Sequence, residues 1–418
     1  MIRTPDIDIP DLSTIVERKE YSEWHCLLCQ LMTPMYGGGV LSNTVDKNMP
    51  IRVSGIRGQL RFWWRLLAKH KWQLGDDTAI QKQEFALWGG MGDDGQASKV
   101  FLRVNNFRKL QIEAWAEYEP HHQGGYKSIP TAKTWAKAPY ALFPAQGKKP
   151  GLRDSEPPHE LAKPGLTWEL QFKFDSKLNS RQQQQVIDTL RWWANFGGIG
   201  ARTRRGLGSV QVISSNDFDE IMQPLSADDI TSAGCQLVTN QSYLSDAIAA
   251  WTNSVDKMQK FRQGINIGRN PGAVRPGRSL WPEPDAIRRI TGKHLRTPEK
   301  NHAPVHAAGN IFPRAMFGLP IIFHFVGAGE PQDTTLNLNN AERMSSPIIL
   351  RAYFNGTEWL SSALLTPYKT PDEMQLKTIN NQTAEVWAQG ADQRILPIED
   401  NGGGNPLEAF MTFFAKKP

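Results

Sequence analysis

Between Phe196 and Val210 the chain reads FGGIGARTRRGLGSV, five glycines and three arginines with no acid among fifteen residues. Glycine has no Cβ to clash, so it tolerates backbone conformations that turn successive N–H groups into one concavity. Arginine adds a permanent charge and a planar donor fork matched to phosphate oxygens. The stretch reads as a loop that holds a polyanion. Its backbone at Gly197, Gly198, Gly200, Gly206 and Gly208 would cradle phosphate, with Thr203 in the same turn and charge from Arg202, Arg204 and Arg205. Charge reversal at Arg204 and Arg205 is then expected to weaken binding without unfolding the chain.

The order of elements narrows the polyanion. A nucleotide P-loop runs strand, glycine loop, helix and ends in Gly-Lys-Ser/Thr. Here Arg181–Asn195 carries helical periodicity before the loop, and Gly208–Ser214 reads as a strand after it. No Lys-Ser/Thr follows the glycines, and Thr203 stands where the third glycine of a dinucleotide fingerprint belongs. A nucleic-acid backbone is the better match.

Two more basic elements support that reading. Arg57, Arg61 and Arg65 recur at i, i+4 and i+8 on a predicted helix, with no acid between Ile51 and Gln73. They form a second expected contact line. Trp63 and Trp64 beside them have the spacing of core residues rather than base-stacking ones. Further on, Lys257–Lys300 carries eleven Lys/Arg against three acids. Its Gly/Pro-rich part, with Arg269, Arg275 and Arg278 followed by Arg288 and Arg289, reads as a mobile loop that orders on a partner. Arg275 and Arg278 are taken as RNA contacts. The glycines Gly37–Gly39 offer a further run of backbone donors.

Other chemistry has less support. His25, Cys26 and Cys29 look like a metal motif, but residues three apart on a strand point to opposite faces. No metal and no cofactor are expected. Metal-free RNA cleavage needs a general acid and base. Only His121 and His122, with Tyr126 and Lys127, offer such a grouping, so no catalytic residue is assigned.

These residues need a frame. The 418 residues suggest more than one domain, and a net charge of +6 with a pI near 9.1 is a mild basic bias. Three cysteines and an acidic start without an apolar segment point to a cytoplasmic protein with no membrane span. Along the first half the pattern reads strand Trp24–Met32, helix from a Ser54 cap to about Trp72, helix Ile80–Trp88, strands Lys99–Asn105 and Gln111–Tyr118. A loop-rich insertion follows over about His121–Gly165, then strand Thr167–Phe174 and the helix, loop and strand already described. This β-α-β-β-α-β order is the ferredoxin-like arrangement, shared with the RNA recognition module. The fold class is α+β, with two ferredoxin-like (RRM-like) domains whose antiparallel sheets carry helices on one face. The expected domains are 1–215, holding the glycine-rich loop, and 216–418, a degenerate second copy.

The runs Thr33–Gly39, Ile56–Arg65 (IRGQLRFWWR), Leu87–Gly90 and Ser98–Val100, with the loop Phe196–Val210, resemble the repeat-associated mysterious protein (RAMP) superfamily. Phe317–Ile321 and Arg343–Ile348 resemble its C-terminal half. Within the superfamily the likeness is to the first RAMP subunit of the Cmr complex, the type III-B CRISPR effector. That resemblance implies a non-catalytic RNA-binding subunit near the 3′ end of the guide, in antiviral defence. Its partners would be guide RNA, complementary target RNA and other RAMP subunits of the Cmr complex. The alternatives are a metal-independent endoribonuclease that matures guide RNA, and a structural clamp whose basic surfaces meet acidic proteins.

Overall fold

The structure is a computed structural model. It describes residues 24–416 except for 42, 92–94, 120–129, 148–155, 241–245, 273–276, 298–299, 372, 378–382 and 387–393. His121, His122, Tyr126, Lys127 and Arg275 fall outside the described residues.

The first lobe runs β1 (His25–Leu31), α1 (Val53–His70), α2 (Asp77–Trp88), β2 (Val100–Arg108), β3 (Thr167–Phe174), α3 (Ser180–Phe196) and β4 (Val210–Ser215). Its four strands lie in the order β2-β3-β1-β4, all antiparallel. That is the ferredoxin-like order, and the expected strand Gln111–Tyr118 lies outside it, its residues pairing instead with Glu160–Ala162 and Thr131–Ala132. Alternation along β1 sends Leu27, Cys29 and Leu31 into the core. Ile56, Leu60, Trp63 and Leu67 of α1 meet Val186, Leu190 and Trp193 of α3 over that sheet face. Trp63 and Trp192 pack with ring centroids 5.5 Å apart. Each such aromatic contributes roughly 1.5–3 kcal/mol by leaving water. A capping box at Asn179 and Gln182 starts α3. Helix α1 instead starts at Arg52, with Ser54 inside the first turn and no side-chain cap. The expected Ser54 cap is therefore absent, because the chain enters the helix two residues earlier.

The second half runs β5 (Gln236–Asn240), α4 (Ala247–Gln263), α5 (Glu283–Thr291), β6 (Ile321–Phe323), β7 (Thr334–Leu338), β8 (Ile348–Phe354), β9 (Trp359–Leu365), β10 (Met374–Lys377) and α6 (Pro406–Ala415). Strands β8, β9 and β5 form a sheet in that order, with α4 and α6 on one face. This is again ferredoxin-like, with three strands among the described residues. Its runs IILRAYF and WLSSALL are buried at nearly every position, because both faces are covered. Ile348, Leu350 and Ala352 pack on α4 and α6, while Ile349 and Tyr353 join the core of the first lobe. A further sheet, β6-β7-β10 with Thr383–Ala384, lies with α5 over a third apolar cluster. Sequence reading did not anticipate it as a separate unit.

Candidate nucleic-acid interface

The glycine-rich loop is pressed between the turn that follows β1 and the second lobe. The Ala201 and Gly208 amides donate to the Tyr36 and Pro34 carbonyls at 2.7 and 2.8 Å. Buried Thr33 donates its hydroxyl to the Gly206 carbonyl and accepts from the Ser209 amide. Three glycines are required for these approaches. At Gly200 (φ +75) a Cβ would lie 2.7 Å from the Tyr36 carbonyl oxygen. At Gly208 (φ +66) it would lie 1.9 Å from the Ile199 carbonyl oxygen. At Gly206 (φ +76) it would lie 2.5 Å from the Trp251 ring. Several amides expected to face a ligand, those of Gly197, Ile199, Ala201, Gly206 and Gly208, are instead donated to protein carbonyls. The expectation of one cradle from Gly197 to Gly208 is thus narrowed. The glycines serve close packing over most of the loop, and Gly198 and Gly200 line an open cleft.

The arginines of the loop also turn inward. Arg204 lies over the Phe62 ring at 4.6 Å, and Arg205 donates to the Phe317 carbonyl at 3.3 Å. Trp251 of α4 donates to the Arg205 carbonyl at 2.7 Å. Burial pushes the Arg204 and Arg205 guanidinium groups down to about 10. Arg202, left-handed at φ +59, sits beside Tyr36 and Tyr140. Arg204 and Arg205 therefore fill the seam between the lobes. Reversing their charge would place carboxylates in that seam, which corrects the expectation that the fold is unaffected.

The stripe on α1 is tied down as well. The Arg57 Nη1 donates to Ser98 Oγ at 2.6 Å and to the Val100 carbonyl at 3.2 Å. Arg61 and Arg65 both reach Glu84 Oε1, at 2.5 and 2.7 Å. Glu84 is buried on α2, so the carboxylate partner that is missing around the stripe in sequence comes from the neighbouring helix. Arg65 keeps about half its side chain in solvent. Arg278 pairs with Asp285 at 2.8 Å. The basic segment around it is also tied internally, since the Asn270 amide donates to the Arg278 carbonyl and the Gly277 amide to the Asn270 carbonyl. The reading of a mobile loop that orders on a partner is thus narrowed, because the described ends of the segment are already bonded to each other, while Arg275 lies outside the described residues. Trp63 and Trp64 are in the core. Cys29 is in the core too, while Cys26 is partly exposed.

What the fold does bring together is a cleft of about 160 Å³. Its walls are the first turn of α1 (Arg52, Ser54, Gly55), Gly38 from the first glycine run, and Gly198–Gly200 from the second. A Cβ on Gly38 would stand 3.4 Å from the Gly200 Cα, so the two glycine runs meet. The α1 end has no side-chain cap and no acid in its first turn. The Gly55 and Ile56 amides donate to the Arg52 carbonyl, which leaves the Val53 and Ser54 amides, with the positive pole of the helix, without a partner among the described residues. Gln59, one turn further, reaches Thr203 Oγ1 at 3.5 Å. Asp46, 3.8 Å from Arg52, is the carboxylate paired with it among the described residues. Chemically the cleft offers donors to an anion and glycines past which a backbone could approach closely. Sequence reading missed Arg52 as a member, although its place before Gly55 and Gly58 at a helix start was a usable signal.

Arg351 of β8 was also missed. Its guanidinium, buried and without a carboxylate partner among the described residues, donates to the carbonyls of Ala194 (2.8 Å), Gly197 and Val210. It thereby holds the C-terminal end of α3 and both ends of the loop from the other lobe.

Residues 28–211 match the family model of the RAMP superfamily. The match runs from β1 through the glycine-rich loop, so the resemblance drawn from the motifs holds over that region. No curated protein matches. Among solved structures the chain is similar to Cmr1 from Pyrococcus furiosus in its apo crystal form, with 13% identity and a TM-score of 0.46, over 83% of this chain and 89% of that one. It is also similar to a chain in the cryo-EM structure of the type III-B Cmr-beta bound to cognate target RNA, with 11% identity and a TM-score of 0.44, over 94% of this chain and 100% of that one.

Proposed function

We propose that this chain is a non-catalytic RNA-binding subunit of a type III-B CRISPR Cmr effector, holding guide RNA and its complementary target near the guide 3′ end. The observation that carries the RNA-binding reading is the cleft where the bare N-terminus of α1, Arg52 and both glycine runs converge. A phosphodiester laid there would accept from helix-end amides and from the Arg52 guanidinium, and Gly38 and Gly200 would let its backbone approach without side-chain hindrance. The half-exposed Arg65 on the outer groove of α1 and α2 would extend the track. The place in a Cmr assembly rests on the motif resemblance and on the superfamily match.

Filter binding of the purified chain to single-stranded RNA and to a guide–target duplex tests this. Arg52→Glu is expected to weaken binding about tenfold and to lower the salt slope by about 1, with the melting temperature unchanged. Unaltered affinity would count against the cleft. Incubation with precursor RNA in EDTA separates the cleavage reading, because a pure binder forms no product.

A further inference from the structure

A second, larger cavity of about 560 Å³ lies between the end of α4, the start of α5 and β6. Arg269, Arg278, Arg288 and Arg314 line it, with an apolar lip at Ile322, Phe325 and Val326. Three carboxylates offset part of that charge. Glu283 bonds Arg314, Asp285 bonds Arg278 and Arg288, and Glu330 bonds Arg288. The pairing is incomplete. Arg314 is only 9% exposed, and it spends its Nε on Glu283 while neither Nη has a hydrogen-bond partner among the described residues. Arg278 spends one nitrogen, Nη2, on Asp285 and the Ala303 carbonyl. Arg269 meets no carboxylate among the described residues; its side-chain bond there is to the Gly277 carbonyl at 3.4 Å. A half-buried guanidinium with most of its donors unsatisfied is costly unless an anion completes it.

The lip restricts the rest of the ligand. Ile322 and Val326 are 65% and 75% exposed. The Arg288 guanidinium stands over the half-buried Phe325 ring at 5.2 Å. Apolar surface beside incompletely bonded guanidinium groups fits a flat body carrying a phosphate, and the volume lies within the roughly 300–1,000 Å³ of small-ligand sites.

We propose that this cavity binds a phosphorylated nucleotide, with Arg269 and Arg314 on the phosphate and the base against Phe325 and Ile322. The nucleotide is either free or the phosphorylated end of an RNA strand. The site is separate from the cleft at α1 and does not depend on that reading.

Isothermal titration of the full chain with AMP tests it. The expected result is one saturable site, with adenosine and inorganic phosphate each binding at least about tenfold more weakly. Arg269→Gln should weaken AMP about tenfold, and Ile322→Glu, at an exposed position, should weaken it similarly by repulsion. Arg52→Glu should leave AMP binding unchanged even where it weakens RNA. No heat at millimolar AMP would overturn the proposal. So would equal binding of adenosine or phosphate, or parent-like titration of both Arg269→Gln and Ile322→Glu. Competition then identifies the source. A 5′-phosphorylated RNA decamer that displaces AMP where its 5′-hydroxyl twin does not points to a strand end; failure of both to displace it points to a free nucleotide.

Discussion

At the scale of single residues, glycines of one chain do opposite work. Gly206 is held at φ +76 with its missing Cβ against Trp251 and the Leu350 carbonyl. Gly206→Ala is expected to cost about 2–3 kcal/mol, read as a lower midpoint in urea denaturation, because both the backbone conformation and the contact are lost. Gly58 is exposed in the interior of α1 with open space around it. Gly58→Ala should raise stability by about 0.5–1 kcal/mol through helix propensity. Arg351 supplies the third case. Arg351→Met leaves three carbonyls without their donor, and a loss of about 3 kcal/mol is expected by thermal melting. Arg351→Lys should not rescue it, since a single ammonium cannot span the three acceptors as the planar fork does. None of these three assignments follows from residue type: the same amino acid is a packing requirement at one position and a local weakness at another.

At the scale of elements, charge pairs decide the behaviour of the α5 region. Burial works to raise the Asp285 carboxyl, but bonds from Arg278 and the Val305 and His306 amides outweigh it and hold it below the ordinary value. Glu330 is likewise held low by Arg288 and His302 against the effect of burial. A carboxyl depressed in the folded state binds fewer protons there than in the unfolded chain. Its stabilisation is therefore complete above the unfolded pKa and is lost as pH falls through the folded one. Hydrogen exchange followed downward from about pH 4 should show the α5, β6 and β7 segment opening before β1–β4. Most element positions of the first lobe were legible in sequence, since β1, β2 and β3 fall on the stretches read as strands and α3 on its helical period. The partners were not. Glu84 sits on α2, 23 and 19 positions beyond the Arg61 and Arg65 it pairs with, and only the packing of α2 on α1 reveals it.

At the scale of the whole molecule, the second sheet is closed on both sides, and the glycine-rich loop lies in the seam that closes it. The first lobe occupies the face of β8 and β9 opposite α4 and α6. Loosening that seam should therefore also disturb the cleft. Arg351→Met is expected to weaken RNA binding severalfold in filter assays, although Arg351 reaches only the Gly197 carbonyl, next to the cleft wall at Gly198. The amino-acid sequence alone determined the α+β class, the order of the ferredoxin-like elements, the density of basic charge and the family likeness of residues 28–211. These follow from periodicity and composition, which are properties of neighbours along the chain. Which arginines remain open to a ligand was decided by tertiary structure alone. A guanidinium is neutralised, buried or left free by groups far away in sequence, and their distances exist only once the lobes have packed.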